Sequence, residues 1–461
     1  MLATVLDALH PTSATDDADD AWFSAWRARE LARVVKSGVT YVDYTGAALY
    51  PESVVREDCR RLEQAVLGNP HSEHLPSLAS TADAVQARRA ILDFLHADPA
   101  EYACVLTSNA SHACRLVGES FPFGPGSHLT LTADNHNSVN GIREYARRRG
   151  ACVERIGLTS ELRLADASGR LNRQIDKPSL LAFPAQSNFS GVRHPLALVS
   201  HARDHGWFVL LDAASYLPTA DLDLRAYSPD FVALSLYKII GYPGGIGALV
   251  ARHEALERLQ RPSFAGGTVH WVSVQHNAHR LLQGPAGFED GTLPFTTLGA
   301  VAPALAAARA ADRERLSRHL HALTHALLAG CTALQHRHGA PVVRIHGPAD
   351  TTNRGATVAL TLMQADGTAV PFWEGEASAR EAGIAVRGGC FCNPGCAEEA
   401  FAFAPAATAA CLDALGTDFS IPRFAACLGR GPVGAIRVSL GLGSIQSDVD
   451  RVLAWLSTFV H

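Results

Sequence analysis

Between about residues 80 and 260 the chain repeatedly sets a short, largely apolar run beside a helical stretch. The runs are ACVLT (103–107), HLTLT (128–132), LLAFP (180–184), WFVLLDAA (207–214) and FVALS (231–235), followed by IGALVARH (246–253). A strand that is apolar on both faces must be covered on both. Alternation with helices meets that need in a parallel sheet between two helical layers. The pattern predicts an α/β fold. The stretch STADAVQARRAILDFL reads as a helix capped by Ser80, because Ala84, Ala87, Ile91 and Leu95 fall on one face.

After Thr297 the texture changes to a long Ala, Leu, Arg and His region, LGAVAPALAAARAADRERLSRHLHALTHALLAGCTALQHRHG. It reads as a helical connection into a smaller C-terminal α/β domain. The expected division is an N-terminal segment, 1–60, packing with the small domain; a large domain, 61–310; and the connecting helix with the small domain, 311–461. The Ala-rich stretch 404–410 reads as a loop insertion.

Composition excludes several classes. With 47% apolar and 18% charged residues over 461 positions, the chain is an ordinary globular one. A net charge of -5 leaves no footprint for nucleic acid, and the basic run Arg147, Arg148, Arg149 reads as the solvated end of a helix. No apolar run reaches membrane-spanning length, so no membrane partner is expected. The N-terminus MLATVLDALHPTSATDDADD lacks the basic start of a signal peptide and turns acidic. Ten cysteines without small-domain spacing predict reduced thiols and a cytoplasmic location. Cys104, Cys114 and Cys152 are expected in the core.

Polar residues at the strand ends carry the chemistry. In SLYKIIGYPGGIG (235–247), Lys238 follows the apolar run FVALS and leads into a glycine-rich turn, where an amine pays a desolvation cost. WFVLLDAA carries Asp212, a carboxylate that is costly there unless it meets a cation. SNASHACRLV follows ACVLT as a polar turn opening a helix, able to hold a phosphate with Ser111 adding a hydroxyl. His136 and Asn188 lie just beyond two further strand ends. Such residues converge at the carboxyl edge of a parallel sheet, where ligands bind. Pyridoxal phosphate needs a phosphate cup, a ring-stacking group, an acid at the ring nitrogen and an amine for its imine link. Jointly these residues predict that cofactor.

The motifs NPHS (69–72), TSNAS (107–111), HNSVNGIREYA (136–146), FPAQSNFSG (183–191), LLDAASYLPTADLDL (210–224) and PDFVALSLYKIIGYPGGIGALV (229–250) carry a family resemblance. GGTV (266–269), FEDGT (288–292), RGGCFCNPGC (387–396) and GAIRVSLG (434–441) continue it, so it covers nearly the whole chain from Tyr41 onward. The chain resembles the class V aminotransferase-fold cysteine desulfurases, and most closely the N-terminal desulfurase domain of molybdenum cofactor sulfurases. The resemblance implies the type I fold of pyridoxal-phosphate-dependent transferases and a homodimer. It implies that Lys238 carries the imine and His136 stacks on the pyridine ring. Asp212 would pair with the ring nitrogen, and Asn188 would lie near the phenolic oxygen. Ala110, Ser111 and Ser235 would hold the phosphate, beside Tyr237, and Thr292 would reach the phosphate of a neighbouring subunit. Arg437, with Arg387 as a second candidate, would bind the substrate carboxylate, a task suited to a guanidinium.

The loop RGGCFCNPGC bears on the reaction. By resemblance Cys392 is the sulfur-accepting thiol, in a loop that Gly388, Gly389 and Gly395 make mobile. The implied activity is a sulfurtransferase that converts L-cysteine to alanine and leaves a persulfide for an unnamed acceptor. The alternative is a lyase, epimerase or aminotransferase on a related amino acid, in secondary metabolism. A third reading keeps the fold without catalysis. A structural metal site from Cys390, Cys392 and Cys396 with His71 or His74 is the rival for the loop, but C-x-C-x3-C lacks the paired C-x2-C spacing of zinc modules. No metal is expected. Two departures stand out: Tyr237 replaces a histidine and Ser215 a glutamine frequent in bacterial cysteine desulfurases. Molybdenum cofactor sulfurases continue into an acceptor-engaging domain, whereas this chain ends at GSIQSDVDRVLAWLSTFVH, which leaves the acceptor open.

Overall fold

A computed structural model describes residues 17–429 and 431–461. The first strand, β1 (Thr40–Tyr41), belongs to a small two-stranded sheet. Seven strands then build the main sheet: β2 (Tyr102–Thr107), β3 (His128–Thr132), β4 (Cys152–Ile156), β5 (Leu180–Pro184), β6 (Phe208–Asp212), β7 (Phe231–Ser235) and β8 (Gly247–Arg252). Their spatial order is β2-β8-β7-β6-β5-β3-β4. All run parallel except β8, which is antiparallel to both its neighbours. The reversal follows from the chain between β7 and β8. That connection is one short helix and a turn in which Gly241 and Gly245 take positive φ, too short for a parallel crossover.

Both faces of this sheet are covered. Along β6 and β7, Val209, Leu211, Val232 and Leu234 enter one hydrophobic cluster, while Leu210, Phe231 and Ala233 enter another on the opposite face. That alternation is the period-two geometry of a strand buried on both sides. The helix Leu75–Phe94 lays Ala84, Ala87 and Ile91 into the first cluster. It begins a turn earlier than expected. His74, not Ser80, is its cap, accepting from Ser77 N–H at 3.2 Å, while the Ser80 hydroxyl bonds the Pro76 carbonyl inside the helix. The first turn was invisible to periodicity because Leu75 and Leu78 are exposed.

A hairpin, β9 (Val269–Ser273) with β10 (Ala278–Leu281), follows the main sheet. The Ala/Leu/Arg/His region then forms three helices, Phe295–Leu298, Val301–Ala308 and Arg313–Ala333, the last capped by Asp312. The C-terminal part carries β11 (Val343–His346), β12 (Thr357–Leu362), β13 (Ile384–Ala385), β14 (Arg387–Gly389) and β15 (Ala435–Ser439). Four of these make an antiparallel sheet ordered β11-β12-β15-β14, and β13 pairs with β1 in parallel. Asp43, just past β1, bridges Ser439 of β15.

Three expectations change. The 404–410 stretch is not a loop but the start of the helix Pro405–Leu415, opened by a proline at a position that tolerates one. Cys411 in that helix is disulfide-bonded to Cys427, so not every thiol is free, although the other eight cysteines are. Cys152 is exposed on the edge strand β4, whereas Cys104 and Cys114 are buried. Among the described residues no helix is long and apolar enough to cross a membrane.

Candidate active site

At the carboxyl edge of the main sheet a cavity of about 160 Å³ is lined by Ala110, Ser111, His136, Asn188, Asp212, Ser235, Tyr237 and Lys238. These eight anticipated residues meet in one place. Register explains it: Pro184 pairs with Asp212 across β5 and β6, and Gly247 of β8 pairs with both Thr107 and Ser235. Thr292, Arg387, Arg437 and Cys392 are not among the lining residues.

One end of the cavity is a cup for an anion. β2 ends at Thr107, and Asn109 caps the 11-residue helix Ala110–Ser120 by accepting from His112 N–H at 2.9 Å. Ala110 N–H donates to Ser235 Oγ at 2.8 Å, which ties the helix start to the end of β7. A hydroxyl chain runs on from Ser111 Oγ to Ser138 Oγ (2.6 Å) and His136 Nδ1 (2.9 Å). The turn lies so close to β8 that a Cβ on Gly247 would come within 2.6 Å of the Asn109 backbone. The helix dipole and the hydroxyls of Ser111, Ser138 and Ser235 suit a phosphate.

The other groups suit a pyridine ring. Asp212 is buried at the end of β6, and Oδ1 accepts from Ala214 N–H at 3.0 Å. Among the described residues no cation lies within ion-pair distance of it. A buried carboxylate without a counter-charge is costly, and a protonated ring nitrogen would supply one. Lys238, half-buried one turn past β7, has its amine held below the ordinary lysine range. Burial is the main cause; Asp212 opposes it, Arg437 adds to it and Cys392 opposes it. His136 Nδ1 accepts from Ser138 N–H at 3.1 Å, which leaves the ring proton on Nε2. Burial, then the Lys238 charge, holds this imidazole below the ordinary histidine range, which favours its neutral form. The donor set fits pyridoxal phosphate: Lys238, Asp212, His136 and the Ser111 cup would hold its four recognisable parts.

The amino-acid end departs from expectation. Arg437 is buried and already paired with a protein carboxylate: its Nη2 lies 3.1 Å from Asp43 Oδ1, and its Nη1 donates to the Asn188 carbonyl at 3.0 Å. Arg387 grips the same carboxylate from Nε and Nη2, at 2.7 Å for the shorter contact. The cause is register. Arg387 and Arg437 are opposite one another across β14 and β15, where like charges repel unless an anion lies between them. Arg437 Nε is buried without a partner.

Asn188 reaches the cavity, but its amide is committed to the cysteine loop. Nδ2 donates to the Phe391 carbonyl at 2.7 Å, and Oδ1 accepts from Asn393 Nδ2 at 2.9 Å. The loop also docks on the His136 segment, where Asn137 N–H donates to the Cys392 carbonyl at 2.8 Å. Cys392 is exposed, and it and Phe391 both have φ of 55°. Burial pushes the Cys390 thiol up to about 11 and Cys396 well above its ordinary range. The glycines act differently from expectation. A Cβ on Gly395 would lie 1.9 Å from the Ala133 carbonyl and one on Gly388 2.4 Å from Phe372, so both permit tight packing, and of the three only Gly389 has a positive φ. Among the described residues the three loop cysteines form no metal-capable group; the one such group is His128, Cys152 and Glu154.

Thr292 is exposed, accepting a 3.4 Å bond from Asn69. Sequence reasoning missed Asp43, Ser138, Gln186 and Asn393. Ser138 and Gln186 sit inside motifs it had quoted, so proximity to His136 and Asn188 was an available signal. Asp43 offered none.

The chain matches the family Aminotransferase class-V over residues 40–452 and belongs to it. It is 32% identical to the molybdenum cofactor sulfurase of Oryza sativa subsp. japonica over 94% of this chain and 57% of that protein. It is 35% identical to molybdenum cofactor sulfurase 3 of Aedes aegypti over 90% of this chain and 55% of that protein. The chain therefore spans little more than half the length of these relatives. Among solved structures, a cysteine desulfurase from Thermococcus onnurineus NA1 superposes with a TM-score of 0.77 at 23% identity, covering 95% of this chain and 97% of that one. The Escherichia coli cysteine desulfurase CsdA gives 0.75 at 21%, covering 95% and 98%. The fold is the type I fold of pyridoxal-phosphate-dependent transferases.

Proposed function

We propose that this protein is a pyridoxal-phosphate-dependent cysteine desulfurase of the molybdenum cofactor sulfurase kind. One observation carries the reading. Of the three loop thiols, Cys392 alone is exposed, and its loop is hydrogen-bonded to Asn188 and to the His136 segment at the wall of a cavity fitted for the cofactor. The bound cofactor supplies an electron sink for the substrate's α-carbon. Lys238 takes and returns a proton at Nζ, and its depressed basicity suits both tasks. Asp212 would hold the ring nitrogen's proton and His136 would cover the ring face. Arg437, with Arg387, would orient the substrate carboxylate by exchanging Asp43 for it. The Cys392 thiolate attacks the cysteine sulfur, the carbon–sulfur bond breaks, a sulfur–sulfur bond forms and alanine leaves.

Incubation with L-cysteine should give alanine and one extra sulfur on Cys392, located by alkylation and peptide mass spectrometry. Cys392→Ser should keep the cofactor's visible absorbance and lose alanine formation. A variant that still releases product at the wild-type rate, as alanine or as a keto acid, overturns the reading in favour of a lyase or aminotransferase.

Several finer points belong to the same proposal. The division into 1–60, 61–310 and 311–461 rests on the two sheets and the long helix between them. A homodimer is supported by Thr292, exposed and outside its own chain's cavity; a fully active species that sediments as a monomer would contradict it. A cytoplasmic location is supported by eight free cysteines. The sulfur acceptor is a separate molecule that takes the Cys392 persulfide.

A further inference from the structure

A second, smaller cavity of about 40 Å³ lies where the loops after β5 and β6 meet the helix Arg313–Ala333 and the approach to β12. Arg193, Arg354, Thr219, Ser317 and Thr324 line it, and no carboxylate does. Arg354 is only 6% exposed. Its Nη atoms donate to the carbonyls of Pro348, Ser190 and Thr357, all neutral acceptors, and its Nε is buried without a partner. Arg193 is half-buried, gives Nε to Gln186 Oε1 at 3.0 Å and lies over the Tyr216 ring. Among the described residues neither arginine has a carboxylate within 4.0 Å. Thr219, itself 6% exposed, adds a buried hydroxyl with no partner.

Two guanidiniums gathered around a polar hole are unfavourable without a counter-charge, because dipoles alone do not replace their hydration. Burial depresses both, Arg354 to about 10; the Asp350 carboxylate opposes this for Arg354 but is exposed and outside ion-pair distance of it. The hole has room for about three waters, or for one ion and little else. An amino acid or a nucleotide is too large.

We propose that this cavity binds a small inorganic anion of chloride size, held between the guanidiniums of Arg193 and Arg354 with the Thr219 hydroxyl as a further donor. The anion supplies the missing negative charge at the seam between the main sheet and the C-terminal sheet. Arg193 also holds Gln186, which lines the cofactor cavity, so the two sites share a wall.

The test needs no turnover, so its failure is separate from failure of the proposed activity. Thermal unfolding of the full chain is followed in potassium chloride or bromide against potassium gluconate at matched ionic strength, gluconate being too large to enter. The halides should raise Tm along a saturable curve that gluconate lacks. Arg193→Gln and Thr219→Val should each move the halide midpoint about tenfold higher, the loss expected for one charge-assisted hydrogen bond. Crystals grown in bromide should show an anomalous peak between the two guanidiniums. Coincident halide and gluconate curves, a wild-type midpoint in both variants, or a cavity holding only water would each overturn the proposal. If one variant fails to fold, the other and the bromide peak decide.

Discussion

Asp212 and Lys238 sit at the ends of adjacent strands of one sheet, whereas Asp43, Arg387 and Arg437 come from three distant segments and share a single carboxylate. The first group inherits its geometry from the ladder: pairing of β6 with β7 fixes where both side chains emerge. In the second group register sets two guanidiniums face to face, and only the Asp43 carboxylate between them makes that placement favourable. Remove Asp43 and the two guanidiniums repel, because Arg387 and Arg437 face each other across β14 and β15. The contrast teaches that the cofactor end tolerates the loss of a side chain as a structure, while the amino-acid end does not.

The largest expected effect tests the first half of that statement. Lys238→Ala should fold normally yet lose the visible absorbance of the covalently held cofactor, and alanine production should fall by at least about 10³-fold. A spectrum and an alanine assay check both. A variant that unfolds would break the comparison, and one that keeps turnover would remove Lys238 from the chemistry.

The second half is tested by Asp43→Ala. It leaves the buried Arg437 without a counter-charge, and the expected loss is about 3 kcal/mol of stability in urea unfolding. Cofactor absorbance should persist in the fraction that stays folded. Unchanged stability would show that the guanidiniums do not depend on Asp43.

The smallest effect sharpens the comparison by pH. His136 is held below the ordinary histidine range in the folded chain by burial and then by Lys238. Below pH 6.5 the unfolded chain takes up a proton that the folded one refuses, so stability falls as pH drops, by at most about 1.4 kcal/mol per unit. The cofactor-free wild type should therefore lose stability relative to His136→Phe as pH falls below about 6.5. A flat difference would contradict this.

The legible and illegible parts of the chain divide along the same line. Strands β5, β6 and β7 were readable because burial on both faces leaves a continuous apolar run, and the lone polar residue after such a run marks the site edge. Lys238 and Asp212 were found that way. The reversal of β8 was not, since a buried strand has the same composition in either direction. The start of the helix at Leu75 was hidden by exposed leucines. The disulfide depends on two helices placing Cys411 and Cys427 with Cα atoms 5.8 Å apart, which no local pattern encodes. Arg437 stands as the one charge in the apolar strand β15, but its partner Asp43 lay beyond the reach of any local argument.

That separation has a consequence during synthesis. Asp43 and Arg437 are 394 residues apart, and a ribosome adding roughly 5–20 residues per second needs about 20–80 s to cover that distance. Lys238 is added about halfway through that interval; from then on the strands between Asn109 and Lys238 can pair, while the Asp43 segment still waits for Arg387 and Arg437. Translation therefore delivers a nascent chain with its cofactor cup in hand and its amino-acid handle still missing its last part.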